Sequence, residues 1–196
     1  MVNFQDLFYY FDLLVGFSAP ILVYILYRTD KIDRLSWCVF WLGAAVGLTW
    51  EIPMFIGSYE TTFFVTIETI RPYPYHYLVF MICHTLWDGM LFLIGYWLVR
   101  LLCKQTHFDK FDIKELFILI IYGQIQEFIV EIGAVSNSAW TFIVYWWNPA
   151  LFYVNEYPIT LYPQLSWLFG TILFYYLLLK LKSKIKDNSK DFIKNT

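Results

Sequence analysis

The sequence predicts an all-α protein, a five-transmembrane helix bundle with an intramembrane pocket. Three observations carry this. First, the 196 residues are 59% hydrophobic and only 15% charged, against about 25% charged in soluble domains. Second, five apolar segments are each long enough to cross a hydrocarbon core of about 30 Å. Third, thirteen of the 14 Lys and Arg fall on one side of a five-span layout. The positive-inside rule then puts the N-terminus in the lumen or outside and the C-terminus in the cytosol. Four or six spans would break this alternation.

The spans follow in order. The first is expected from Leu7 to Tyr27. The second runs from Leu35 to about Tyr59, with Pro53 late in it as a kink site. The third covers Tyr75 to about Cys103, the fourth Leu116 to about Val135, and the fifth Leu165 to Leu181. These make one membrane domain, 1–181. Residues 182–196 read as a basic, disordered cytosolic tail. The opening "MVNFQDLFYYFD" lacks a basic stretch and is not read as a signal peptide.

Composition also excludes. Cys38, Cys83 and Cys103 are odd in number and lack metal-ligand spacing, so neither a disulfide framework nor a metal site is expected, and no cofactor is implied. No basic stripe interleaved with aromatics points to nucleic acid. The expected partners are the lipid bilayer and an apolar substrate. A homodimer is left open.

The two connections on the luminal side, "TTFFVTIETIRPYPY" and "AWTFIVYWWNPALFYVNEYPITLYPQ", are rich in aromatics. They serve either as interfacial anchors or as covers folded over one mouth of the bundle, closing the pocket.

Ionisable groups at membrane depth cost at least about 2.5 kcal/mol on insertion scales. Here they are Asp12, Glu51, His84, Asp88, Glu127 and Glu131, with Gln124, Gln126 and Gln164 as neutral companions. Lys and Arg are absent from the middle of those spans, so salt bridges cannot neutralise all the acids. His84 and Asp88 stand i, i+4 and share a helix face; Gln124, Glu127 and Glu131 form one stripe; Gln164 and Trp167 are i, i+3. Inward stripes with abundant Trp describe a lined pocket.

Several chemistries compete for such a pocket. A dimetal carboxylate site needs Glu-x-x-His pairs, which are missing. Nucleophilic hydrolysis needs Cys or Ser beside His, but Cys83 and His84 are helix neighbours about 100° apart. A proton pathway suits strung acids better than one cluster. Paired acids facing aromatics suit acid–base work on an apolar substrate. A protonated carboxyl donates to an alkene, indole faces stabilise the carbocation, and a second group removes a proton elsewhere.

The acid in "LTWEIPMF", the "WDG" of the third span, "YGQIQE" of the fourth and "QLSW" of the fifth together resemble the emopamil-binding protein family. These are the sterol Δ8–Δ7 isomerases and relatives with the EXPERA fold. The likeness covers about residues 35–181 and rests on order and spacing. Asp88 precedes Gly123-Gln124 by 35 residues, and Gln164-x-x-Trp167 stands where the family has Asn-x-x-Trp. This chain departs from the isomerases in two places. Gly47 occupies the position of their second-span His, and the third-span acid is Asp rather than Glu. "LTWEI" also looks like the acidic motif of fungal membrane-bound meroterpenoid cyclases, which have seven spans.

The resemblance implies an intramembrane isomerase of a sterol or isoprenoid in the endoplasmic reticulum. Asp88 and Glu51 would be proton donor and acceptor, and His84 would tune or relay the proton. Trp167, with Trp50 or Trp87, would face the cation. Gln164 and Gln124 would bond a substrate hydroxyl or orient the acids, beside Glu127. A terpenoid cyclase, or a non-enzymatic sterol binder of the same fold, is the alternative.

Overall fold

The computed structural model describes residues 6–59, 66–103 and 107–194, with side chains to 185. Residues 61–65 of the connection between the second and third spans and Lys104 lie outside the described residues. Five helices run α1 Asp6–Arg28, α2 Arg34–Tyr59, α3 Tyr77–Leu102, α4 Ile113–Ser136 and α5 Leu161–Lys194. All five are long and apolar enough to cross a membrane, the last over Leu161–Ile185. The chain is an integral membrane protein of the expected all-α class. One boundary differs: α5 continues as helix to Lys194, through the stretch expected to be disordered.

Local chemistry sets the helix starts. Asp33 Oδ1 accepts from Ser36 N–H at 2.7 Å ahead of α2, and Asp112 Oδ1 accepts from Lys114 N–H at 2.8 Å ahead of α4. The start of α5 is held from a distance, where Asn148 Oδ1 accepts from Tyr162 N–H at 2.7 Å. Pro20 and Pro53 lie inside α1 and α2, and both helices run on past them.

Helix α2 packs on α3 through small residues. A side chain at Gly43 would stand 2.6 Å from Phe92 Cβ, and one at Gly89 would stand 2.8 Å from the Phe40 carbonyl. Such contacts hold membrane helices together where the hydrophobic effect does not. The outer faces carry Phe11, Leu14, Phe117, Ile129 and Phe169 exposed, as lipid contact requires.

The aromatic connections build a cap over one end of the bundle. Strand β1 (Ile67–Thr69) pairs antiparallel with β2 (Trp140–Phe142), setting Ile67 opposite Phe142 and Thr69 opposite Trp140. Strands β3 (Ala150–Val154) and β4 (Tyr157–Thr160) form a hairpin. Its two-residue turn is Asn155-Glu156 with φ of 48° and 71°, the left-handed pair a tight hairpin demands. Tyr9 of α1 ties the cap down, donating to the Ala139 carbonyl at 2.7 Å and the Arg71 carbonyl at 3.1 Å. The opposite, basic end carries the α1–α2 and α3–α4 connections.

Candidate active site

Beneath the cap lies a cavity of about 310 Å³, at the lower edge of the roughly 300–1,000 Å³ of small-molecule sites. Every helix contributes to its wall. The polar lining is Asp12 of α1, Glu51 of α2, His84 and Asp88 of α3, Glu127 and Glu131 of α4 and Tyr162 and Ser166 of α5, beside the indoles. Among the described residues no Lys or Arg lines it. At about 1.5 Å per helical residue, the ionisable groups sit roughly 7 to 17 Å below the capped ends of their helices, with Asp88 deepest.

The carboxyl groups are seated with spare valence. Glu51 Oε2, Asp88 Oδ2 and Glu131 Oε2 are buried without a hydrogen-bond partner among the described residues. Asp88 stands within electrostatic reach of Glu51 and Glu127, and Trp50 lies beside both Asp88 and Glu51. Glycine makes this seat possible. A side chain at Gly47 would overlap the Asp88 carboxyl, with its Cβ 2.7 Å from Asp88 Cβ and 2.9 Å from Cγ. Gly170 in the same way leaves room for the Trp50 ring.

Aromatic faces make up much of the remaining wall. Trp50 and Trp167 stand 5.5 Å apart between ring centres, and Phe92 stacks on Trp167 at 4.9 Å. Around His84, Phe80 lies edge-on at 4.3 Å and Trp140 at 5.0 Å. Two wall residues also face outward: Phe11 of α1 is 61% exposed and Ile129 of α4 is 65% exposed. A residue on both surfaces marks a mouth, so the cavity opens sideways toward lipid between α1 and α4.

Most of the expected site residues meet here. Glu51, His84, Asp88, Glu127, Trp50, Trp87 and Trp167 all line the cavity. Gln124 and Gln164 do not. The Gln124 amide donates to the Gln164 backbone carbonyl at 3.0 Å, tying α4 to α5. The Gln164 side chain is buried behind the wall, beside Glu131. The stripe from Gln124 to Glu131 therefore splits, because its first residue is spent on a helix-to-helix bond.

Sequence reasoning underused Asp12 and Glu131, which it noted as buried acids but gave no role. Asp12 Oδ2 lies 3.5 Å from His84 Nε2. Glu131 Oε1 accepts from Thr160 N–H at 2.8 Å, fixing the end of the hairpin. It also missed the cap residues on the wall, Ile67, Trp140 and Phe142. The aromatic richness of the two connections was the available signal, and covering the mouth was the reading it should have favoured. No group of three His, Cys, Asp or Glu side chains among the described residues is set to hold a metal ion. Compared with family models, curated proteins and solved structures, the chain matches none.

Proposed function

We propose that the protein is an intramembrane acid–base isomerase of an apolar isoprenoid or sterol, of the sterol Δ8–Δ7 isomerase kind. The observation that carries this is the cavity itself. Carboxyl groups from four helices line an apolar, Trp-rich space, with one oxygen each of Glu51, Asp88 and Glu131 unpartnered and no Lys or Arg on the wall among the described residues. A structural carboxylate ends with its oxygens bonded; these do not.

The chemistry then follows from the residues. Substrate enters sideways between Phe11 and Ile129. A protonated Asp88 carboxyl gives its proton to one carbon of the double bond, leaving a tertiary carbocation. The Trp50 and Trp167 faces stabilise that charge. Glu51 removes a proton from the adjacent carbon, and the electrons of that C–H bond form the shifted double bond. His84 carries the proton back from Glu51 to Asp88. Glycine at 47 fits this arrangement, because the seat of Asp88 leaves no room there for the histidine that the isomerases it resembles carry.

A second reading is a terpenoid cyclase, favoured by Trp50 and Trp167 side by side on the wall with Phe92 packed against both. It uses the same acid to open an epoxide or protonate a terminal alkene. In either case the proposed orientation, by the positive-inside rule, has the basic end in the cytosol and the capped end on the other side, and the resemblance implies the endoplasmic reticulum as the membrane.

The test is Asp88→Asn. Turnover of Δ8-sterols or polyprenyl epoxides falls by about 10² to 10⁴, the worth of a general acid. Thermal stability in detergent holds or rises, because an unpaired buried acid is replaced by a neutral isostere. A variant that unfolds makes Asp88 structural; one that turns over normally removes it from the reaction.

A further inference from the structure

We infer that Asp12 is a positioning residue for His84, and that the Asp12–His84 pair is the proton relay of the cavity; this rests on the acid–base reading above. The two side chains come from different helices and meet at 3.5 Å between Oδ2 and Nε2. Nε2 has no hydrogen-bond partner within geometric limits among the described residues, so the Asp12 carboxyl meets it as an ion-pair contact. Phe80, Trp140 and Phe55 surround the ring edge-on at 4.3, 5.0 and 5.9 Å, so the imidazole has little freedom to turn.

Helix α1 is clamped to α3 at this point. The Asp12 backbone carbonyl accepts from Trp87 Nε1–H at 3.2 Å and from the Cys83 thiol at 3.4 Å. One turn further on, Gly16 lies tight against α3. A Cβ there would run into Cys83 Sγ, 3.0 Å from the Cys83 carbonyl and 3.2 Å from the Trp87 ring. Glycine inside a helix costs about 1 kcal/mol relative to alanine. Here the close approach it permits brings Asp12 onto the histidine.

The chemistry is that of an oriented imidazole. A carboxylate beside Nε2 favours the tautomer that carries its proton there and stabilises the cation when the ring is doubly protonated. Nδ1 is then the atom that takes a proton and returns it. Glu51 is the other carboxylate whose charge reaches the ring. The relay therefore takes the proton that Glu51 has removed from substrate and gives it back to Asp88, leaving all three groups as they began.

The pair has a readout that needs no substrate. The chain holds three histidines, so ¹⁵N-histidine labelling of the protein in detergent gives a short spectrum in which His84→Asn assigns the His84 signals. The expected result is that Asp12→Asn and Gly16→Ala both shift the His84 ring nitrogens and leave His76 and His107 in place. In turnover, Asp12→Asn lowers kcat by about 10² with KM unchanged and alters the pH–rate profile, and Asp12→Glu restores part of the rate. Gly16→Ala guards against the case in which Asp12→Asn does not fold. His84 signals indifferent to both substitutions, in a protein that still converts substrate, overturn the relay alone. A wild-type protein that converts nothing in the substrate panel overturns the acid–base reading and the relay with it.

Discussion

Glu115 and Asp88 are both buried acids in the same bundle, and their surroundings are opposites. Near the basic end, Glu115 is 0% exposed and both its oxygens are used. Oε1 accepts from Phe108 N–H at 2.9 Å and Oε2 from the Tyr175 hydroxyl at 3.1 Å. Tyr175 in turn donates to the Asp112 carbonyl at 3.1 Å, so the acid holds the α3–α4 connection against α5. Under the cap, Asp88 is 5% exposed and lines the cavity, yet Oδ2 lies against Gly47 and has no partner among the described residues. Burial alone does not separate a structural carboxylate from a reactive one. On the proposed reading, the bonding of its second oxygen does.

That contrast can be broken by substitution at each end. The largest effect on stability is expected at Glu115→Leu. It strands the buried Phe108 N–H and leaves the Tyr175 hydroxyl with the Asp112 carbonyl alone, a cost toward the upper end of about 1–3 kcal/mol. A net loss of about 3 kcal/mol lowers Tm by roughly 6–12 °C in a chain of this size, read by a thermal scan in detergent, with turnover per folded molecule unchanged. If Glu115→Leu left Tm alone and stopped turnover, the two ends would have been assigned the wrong way round.

The next effect in size is Gly47→Ala. The added methyl has to displace Asp88, and overpacking of this kind costs about 1–3 kcal/mol. Turnover falls with it because the acid moves. Gly133→Ala is the internal control on the cavity wall. Nothing lies within 4 Å of its added methyl, so it gains up to about 1 kcal/mol of helix propensity. Equal Tm shifts of the same sign in the two variants would show that Asp88 is not seated on Gly47.

The smallest effect sharpens the comparison from the basic end. Burial alone would raise the Asp33 carboxyl, but the Ser36 hydroxyl and N–H and the Arg100 guanidinium hold it below its ordinary value. Arg100 stands 3.3 Å away and both side chains are about half exposed. A carboxylate held low in the folded state stabilises above its unfolded value of about 3.9. That contribution is lost as pH falls through the folded value. Asp33→Asn keeps the helix cap and removes the charge. It should cost a few tenths of a kcal/mol at neutral pH and flatten the fall in Tm on acidification below about pH 4. An acid limb of the same depth in wild type and variant would place the responsible groups elsewhere.

The spans were legible because membrane depth imposes length and hydrophobicity on every helix, and the placement of Lys and Arg fixed their number. Seven residues of the site were legible because an ionisable or indole group within a span has few places to point. What was hidden is tertiary. Helical spacing gave Gln124 the same face as Glu127, and only the position of α5 shows that its amide goes to the Gln164 carbonyl. Asp12 stood alone on α1, and nothing local says that Gly16 brings it to His84. The hairpin at Asn155-Glu156 was masked by its aromatic flanks, which read equally well as interfacial anchors.

The most direct test of an acid that protonates a double bond is where the proton comes from. Purified protein is incubated in D₂O with Δ8-sterols and with squalene- and farnesyl-derived epoxides, and the products are read by mass spectrometry and NMR. In a single turnover, with enzyme in excess and equilibrated in D₂O beforehand, the account predicts an isomerised product carrying one solvent deuterium on the carbon that Asp88 protonates, formed about 10² to 10⁴ more slowly by Asp88→Asn. Bound lipid recovered unconverted over hours, or product formed without deuterium, would contradict it.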